Sequence, residues 1–259
     1  MSILFTDPTE RLVATPTLTD FNLSGPIMFG AVIRPGTFTD TQSIMNFGPE
    51  NASGRGWYFY LTGGGTLSFN KQGVAGFSAF TLPAANEWYA VVGGYDDSGT
   101  DLFAAAYRYS TGTFQNNSAN QGTAPNEPQS GDKILIGGTT NSGASFDGEI
   151  ACAAIYNLGD GLSASLGTAA KPFCALVAAR GIVPHADLAG GWFCGFGTTL
   201  GTEKDVSGNG AGMVDSGSGS IERGAGSPIG FPFAVQSPAL VAAAGITSTI
   251  IEIPTGPLR

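Results

Sequence analysis

The chain runs to 259 residues, of which 42% are hydrophobic, enough to bury the core of one large β domain or two small ones and too apolar for a disordered chain. Only 12% of residues are charged while 40 are glycine, a balance that suits short strands joined by turns and excludes an architecture of long, salt-bridged helices. With 11 basic against 20 acidic residues the net charge is −9, which repels phosphate backbones and excludes nucleic acid as an expected partner.

Met1 to Pro16, MSILFTDPTERLVATP, has no basic region leading into an apolar one, so no secretory signal is expected and synthesis in a reducing cytoplasm is. From Ile3 to Asn157, β-prone runs alternate with turn clusters at roughly ten-residue intervals, the pattern of sandwiches and barrels. The first half of the series is PIMFGAVIRP (Pro26 to Pro35), SIMNFG (Ser43 to Gly48), GWYFYLT (Gly56 to Thr62) and TLSFN (Thr66 to Asn70), the last two joined by a hairpin loop at Gly63-Gly64-Gly65. WYAVVGGYDD (Trp88 to Asp97) and DLFAAAYRYS (Asp101 to Ser110) flank a turn. KILIGG (Lys133 to Gly138) and GEIACAAIYN (Gly148 to Asn157) complete the series. Between them Thr111 to Ser130 is polar and rich in Asn and Gln, and reads as a long surface loop of the kind that carries binding sites.

The rhythm then changes. Leu162 to Gly181 contains a short helix, with Phe173, Leu176, Val177 and Arg180 at helical spacing, Pro172 at its start and Gly181 at its stop. Asp187 to Ser220 holds one aromatic strand and a Gly- and Ser-rich segment. Ile221 to Arg259 reads as an extended arm whose β-branched run TSTIIEI needs a partner edge. The weakly polar stretch from Ser237 to Pro254 is too short and too glycine-punctuated to span a bilayer, so no membrane role is expected. Cys152, Cys174 and Cys194 form no CxxC pair and are expected as buried, reduced thiols.

The strand ending in Arg34-Pro35, the GWYF strand, NEWYAVV, the YDDSG turn, ILIGG, FDGEIA and IYN before Leu162-Ser163 come in an order that resembles laminin-G-like, concanavalin A-like jelly rolls. The resemblance covers Phe5 to Ser163 and implies an all-β antiparallel sandwich with one short helix. WFCGFGTTLGTEKDVSGNG (Trp192 to Gly210) resembles the Trp strand and Asp-x-Ser-Gly-Asn-Gly turn that such domains carry before their first strand, but here it follows the jelly roll. It either folds back to complete the same sandwich, making residues 1–220 one domain and 221–259 an arm, or begins a module that a neighbouring chain finishes. Similar chains are frequent among bacteriophage virion proteins, as the resemblance implies.

Asp147 and Glu149, at i and i+2, would share one strand face, as two carboxylates on a glycosidic bond require. No third acid continues that face. The preferred reading is a strand start with both acids solvated, Gly148 permitting a bend, and Ile150, Cys152 and Ala154 on one side. His185 is the sole histidine, which rules out a multi-histidine metal site and leaves a loop position between helix and strand. Calcium-holding relatives place the ion among carboxylates at a loop rim, and the candidates here are Asp96, Asp97 and Asp101, and Asp205 with Asn209. A structural Asx turn is the reading placed ahead of calcium at each. Trp57, Trp88 and Trp192 are expected in the core. Tyr107 and Tyr109 share a strand face and, with Asn116 and Asn117 beyond them, would bind glycan if that face is solvated.

The reading that results is a non-enzymatic structural protein of a tailed-phage virion, in the head decoration or a tail fibre. It would assemble with copies of itself and other virion proteins through the 221–259 arm, with cell-surface glycan as a further ligand. The alternatives are a stand-alone carbohydrate-binding lectin-like module and, behind it, a glycoside hydrolase.

Overall fold

The computed structural model describes residues 1–7, 9–17, 26–49, 54–71, 75–96, 101–120, 128–139, 144–157, 166–184, 187–195, 200–216, 221–224 and 226–229, with backbone alone at 75, 96 and 166–169. In chain order the elements are β1 (Ile3–Phe5), β2 (Leu12–Ala14), β3 (Ile27–Pro35), β4 (Gln42–Gly48), β5 (Trp57–Leu61), β6 (Thr66–Lys71), β7 (Ala75–Thr81), β8 (Tyr89–Asp96), β9 (Asp101–Arg108) and β10 (Thr113–Asn120). They continue with β11 (Lys133–Ile136), β12 (Gly148–Asn157), α1 (Leu166–Arg180), β13 (Leu188–Phe193), β14 (Thr202–Glu203), β15 (Met213–Asp215) and β16 (Glu222–Arg223).

Two antiparallel sheets of 8 strands each build a sandwich. The first has the order β10-β9-β8-β3-β12-β1-β16, and β13 also pairs with β12; the second runs β14-β15-β2-β11-β4-β5-β6-β7. β1 takes Gly148 to Ile150 of β12 and β13 takes Cys152 to Tyr156, so two strands lie end to end along one edge of β12. Leu188–Phe193 therefore adds to the sheet of its own chain, and so does Glu222–Arg223, which pairs with β1. The remainder of the arm from residue 230 lies outside the described residues.

Aromatic packing fills the space between the sheets. Trp57 stacks on Phe69 at 5.6 Å between centroids and meets Tyr95 at 5.4 Å, and Phe29 meets Phe69 edge-on at 5.4 Å. Burial of each such side chain contributes about 1.5–3 kcal/mol, and ring pairs add about 0.5–1.5 kcal/mol. Gly93, on the inward face of β8, makes room for this cluster: a Cβ there would lie 2.8 Å from the Phe59 ring and 3.0 Å from that of Phe69.

A second apolar layer lies on the other face of the first sheet, beneath α1. There Gly30, Ala90, Ala105 and Ala154 form a low surface on which Ala170, Cys174 and Val177 of the helix are buried. That buried stripe corrects the expected one, since Leu176 is 43% exposed. Pro172 sits inside the helix rather than at its start. The missing N–H weakens that turn, and burial of the helix's inner face outweighs the loss.

Three further differences concern strands. Thr113–Asn120, expected within a surface loop, is strand β10, because all its residues find ladder partners on β9 despite their polarity. β7 was not among the expected strands; only Phe77 of its residues is a deeply buried large side chain, so its hydrophobic signal is weak. In β12 the register against β3 shifts between Ile150 and Cys152. This bulge sends Ile150 into the sandwich while Ala151, Cys152 and Ala154 pack under the helix, so Ile150 does not share a face with Cys152 and Ala154.

Candidate functional site

On β5 every residue is aromatic or Leu, yet the two faces differ. Trp57, Phe59 and Leu61 point into the core at 0% exposure, which turns Tyr58 and Tyr60 to the outer face of the second sheet. β4 would alternate out of step with them but for a bulge. Its register against β5 shifts between Ser43 and Met45, both Ile44 and Met45 turn inward, and Ser43 and Asn46 come out opposite Tyr60 and Tyr58. On the other side Ser68 and Asn70 of β6 face Tyr60 and Tyr58, and Ser78 of β7 follows beyond Ser68.

The Tyr58 and Tyr60 rings stack at 4.4 Å with 10° between their planes. Asn70 Nδ2 donates to Tyr60 Oη at 2.9 Å, and the Phe77 amide donates to Asn70 Oδ1 at 3.1 Å. Ser68 Oγ donates to Ser78 Oγ at 3.1 Å, and Asn46 Nδ2 to the Pro49 carbonyl at 3.1 Å. Among the described residues 5 buried side-chain polar atoms have no hydrogen-bond partner, and 3 belong here: Ser43 Oγ, Asn46 Oδ1 and Tyr58 Oη. Burial drives the Tyr58 phenol well above its ordinary pKa. The neighbouring Ser43 hydroxyl pulls it part of the way back without reaching good hydrogen-bond geometry. Each unpaired buried polar atom costs about 1–3 kcal/mol. An amide oxygen accepts, and a hydroxyl both donates and accepts, so the set is complementary to the hydroxyls of a polyol.

The two acids of β12's start do not converge. Glu149, expected to be solvated, is 4% exposed. Its carboxylate accepts from Arg34 Nη1 and from Ser2 Oγ, both at 2.6 Å, because β1 and β3 close over it from both edges of β12. Asp147 turns the other way. Gly148, at φ 137°, bends the chain between them, and a Cβ there would meet the Arg34 carbonyl at 2.2 Å. Asp147 accepts from Thr37 Oγ1 at 2.7 Å and lines a cleft of about 150 Å³ with Asp7 and Asp40. Asp7 is engaged by the amide and hydroxyl of Thr9. No group of three or more His, Cys, Asp or Glu side chains among the described residues is placed to hold a metal ion.

Asp205 spends its carboxylate on protein donors. One oxygen accepts from the Gly191 and Ser207 amides, the other from Ser207 Oγ and the Ala211 amide. Asn209 Nδ2 donates to the Ala189 carbonyl at 2.7 Å, so the DVSGNG turn fastens the free edge of β13. Asp101 opens β9 opposite Asp96, and Asp97 lies outside the described residues, as does His185.

Tyr107, Tyr109 and Asn116 share the helix-side face of the first sheet. Tyr109 Oη donates to the Ala178 carbonyl of α1 at 2.7 Å, and Tyr107 packs against Tyr109 and Phe114. The helix covers the tyrosines; Asn116 is exposed; Asn117 points to the opposite face and donates to the Ala79 carbonyl at 3.0 Å. Sequence reasoning passed over Tyr58 and Tyr60. The signal was the alternation in WYFYL, which reserves hydroxyls for one face, whereas the Ser43 and Asn46 pairing depends on a bulge that alternation does not reveal.

The model of the Concanavalin A-like lectin/glucanases superfamily matches residues 8–160. No curated protein sequence matches the chain. Among solved structures, a protein of Bacteroides ovatus described as a candidate carbohydrate binding protein is similar at TM-score 0.59 and 16% identity, over 87% of this chain and 60% of that one. The CBM40 module of the Ruminococcus gnavus IT-sialidase is similar at TM-score 0.48 and 14% identity, over 60% of this chain and 89% of that one. Tailspike protein 2 of the Escherichia coli O157:H7 bacteriophage CAB120 is similar at TM-score 0.41 and 15% identity, over 57% of this chain and 21% of that one. At these identities the likeness is one of fold.

Proposed function

The chain belongs to the concanavalin A-like lectin/glucanases superfamily, and on that premise we propose that it is a non-enzymatic, lectin-like module that binds glycan on the outer face of its second sheet. The observation that carries this reading is the set of buried, unpartnered polar atoms on Ser43, Asn46 and Tyr58, grouped beside a stacked tyrosine pair. What supports a binding role over hydrolysis is that Glu149 is engaged by Arg34 and Ser2 while Asp147 faces a separate cleft. The test is a glycan array followed by calorimetry on the bound oligosaccharide. Wild type binds, and Asn46→Ala and Tyr60→Ala each weaken binding tenfold or more with the fold intact. Equal affinity in both variants would remove the site.

A second reading sets this module in a tailed-phage virion, held to copies of itself or to other virion proteins by the 221–259 arm. Its support is that Glu222–Arg223 already add to β1 by backbone pairing, the mode by which an arm extends a sheet, and that the arm carries the β-branched run TSTIIEI. Deleting Pro238 to Arg259 should leave a folded monomer in place of an oligomer by mass photometry; an unchanged oligomer counts against it.

A further inference from the structure

We infer that the ligand of this face is a neutral saccharide, and that the face discriminates against glycans bearing sialic or uronic acid; the inference rests on the glycan-binding reading above. From β4 to β7 the outward side chains that carry the site, Ser43, Asn46, Tyr58, Tyr60, Ser68 and Asn70, are hydroxyls, amides and phenols without a formal charge. They already form an uncharged ladder, Asn70 to Tyr60 and Ser68 to Ser78, beside three buried polar atoms that have no hydrogen-bond partner.

Among the described residues, the cations on and beside these strands are engaged by other groups. Arg34, Arg55 and Arg108 pair with Glu149, Asp132 and Glu87. Lys71 points into the core, its Nζ 4.1 Å from the centroid of the Tyr95 ring. Lys133, on β11, donates to Thr15 Oγ1 at 2.7 Å, on the side away from β5. Arg11 precedes β2 and bonds the Thr9 carbonyl. β11 and β4 separate β2 from β5, a distance of about 14 Å at the usual strand spacing. A sugar carboxylate laid on Tyr58 and Tyr60 would therefore lose hydration with no cation of those strands free beside it, an unfavourable exchange. The net charge of −9 adds repulsion at low salt.

The experiment compares neutral oligosaccharides with their sialylated or uronate-bearing counterparts on one array, then measures the best matched pair by calorimetry at 50 and 500 mM NaCl. A neutral member should bind at least tenfold more tightly than its acidic counterpart, with little change in affinity between the two salts. Ser78→Arg, which places a cation at the exposed rim, should narrow that ratio several-fold. Equal or tighter binding of the acidic member, lost in Asn46→Ala, overturns the inference and leaves the glycan site standing. Binding of neither class by the folded protein overturns both.

Discussion

Tyr58 and Tyr60 lie ring on ring across the outer face of the second sheet, one with its hydroxyl bonded by Asn70 and the other with its hydroxyl buried and unpaired. Two chemically identical residues, two positions apart, thus have opposite standing. Tyr60 Oη is part of the framework, and Tyr58 Oη is buried with no hydrogen-bond partner among the described residues.

That difference predicts opposite responses to the same substitution. Tyr58→Phe removes an unpaired buried hydroxyl, so urea unfolding of the free protein should show stability unchanged or raised by up to about 1 kcal/mol, together with weakened glycan binding. Tyr60→Phe leaves Asn70 Nδ2 without its acceptor and should lower stability by about 1 kcal/mol. A loss of stability in Tyr58→Phe as large as in Tyr60→Phe would contradict the assignment.

Gly93→Ala should be strongly destabilising although it adds one methyl group. The new Cβ would stand 2.8 Å from the Phe59 ring, inside the aromatic cluster between the two sheets. Overpacking of this kind costs about 1–3 kcal/mol. The check is the midpoint of denaturant unfolding, with Gly212→Ala as a comparison, whose Cβ would stand 3.7 Å from the Glu203 carbonyl oxygen, an ordinary contact.

Glu87 gives a pH signature. Arg108, and then Ser110, hold its carboxylate down at about 2, from an ordinary value of 4.5. A depressed folded-state pKa means that the contribution to stability is complete above about 4.5 and is lost as pH falls toward 2. The pair is solvent-facing, so the effect is modest and salt-sensitive. Wild type and Glu87→Gln should differ most at pH 6 and converge by pH 2 in thermal unfolding followed across that range.

The three cysteines should be silent to thiol reagents until the protein unfolds. Burial pushes the Cys152 and Cys174 thiols up to about 12, and Cys194 is raised as well. Thiolate is the reactive form, so the native protein at pH 8 should release almost no chromophore from Ellman's reagent, and the denatured protein should release 3 equivalents. Rapid reaction of a native thiol would contradict the burial.

Much of the sandwich was legible because it rests on local pattern. In WYFYL and YAVVGGYD, residues of alternating position meet alternating environments, and strand identity follows from period two alone. β10 escaped because TFQNNSAN has no such pattern; it becomes a strand only through its eightfold register with β9. The cover over Tyr109 was equally hidden, since a carbonyl of α1 that accepts from it is 69 positions away in the chain.

The candidate site divides the same way. By itself the sequence determined that the tyrosines of β5 oppose Trp57 and Phe59, that the thiols are buried among small apolar residues, and that the chain is a β-sandwich with one helix among the described residues. Only the tertiary structure decided which outer face the helix covers, and which hydroxyls are left without partners. The physical reason is the bulge: at Ile44 and at Ala151 an extra residue inverts the phase of everything after it, and a bulge belongs to the pairing of two strands rather than to either sequence. Ser43 and Asn46 come to stand beside Tyr60 and Tyr58 because β4 is bulged against β5, a fact that exists only once both strands are in place.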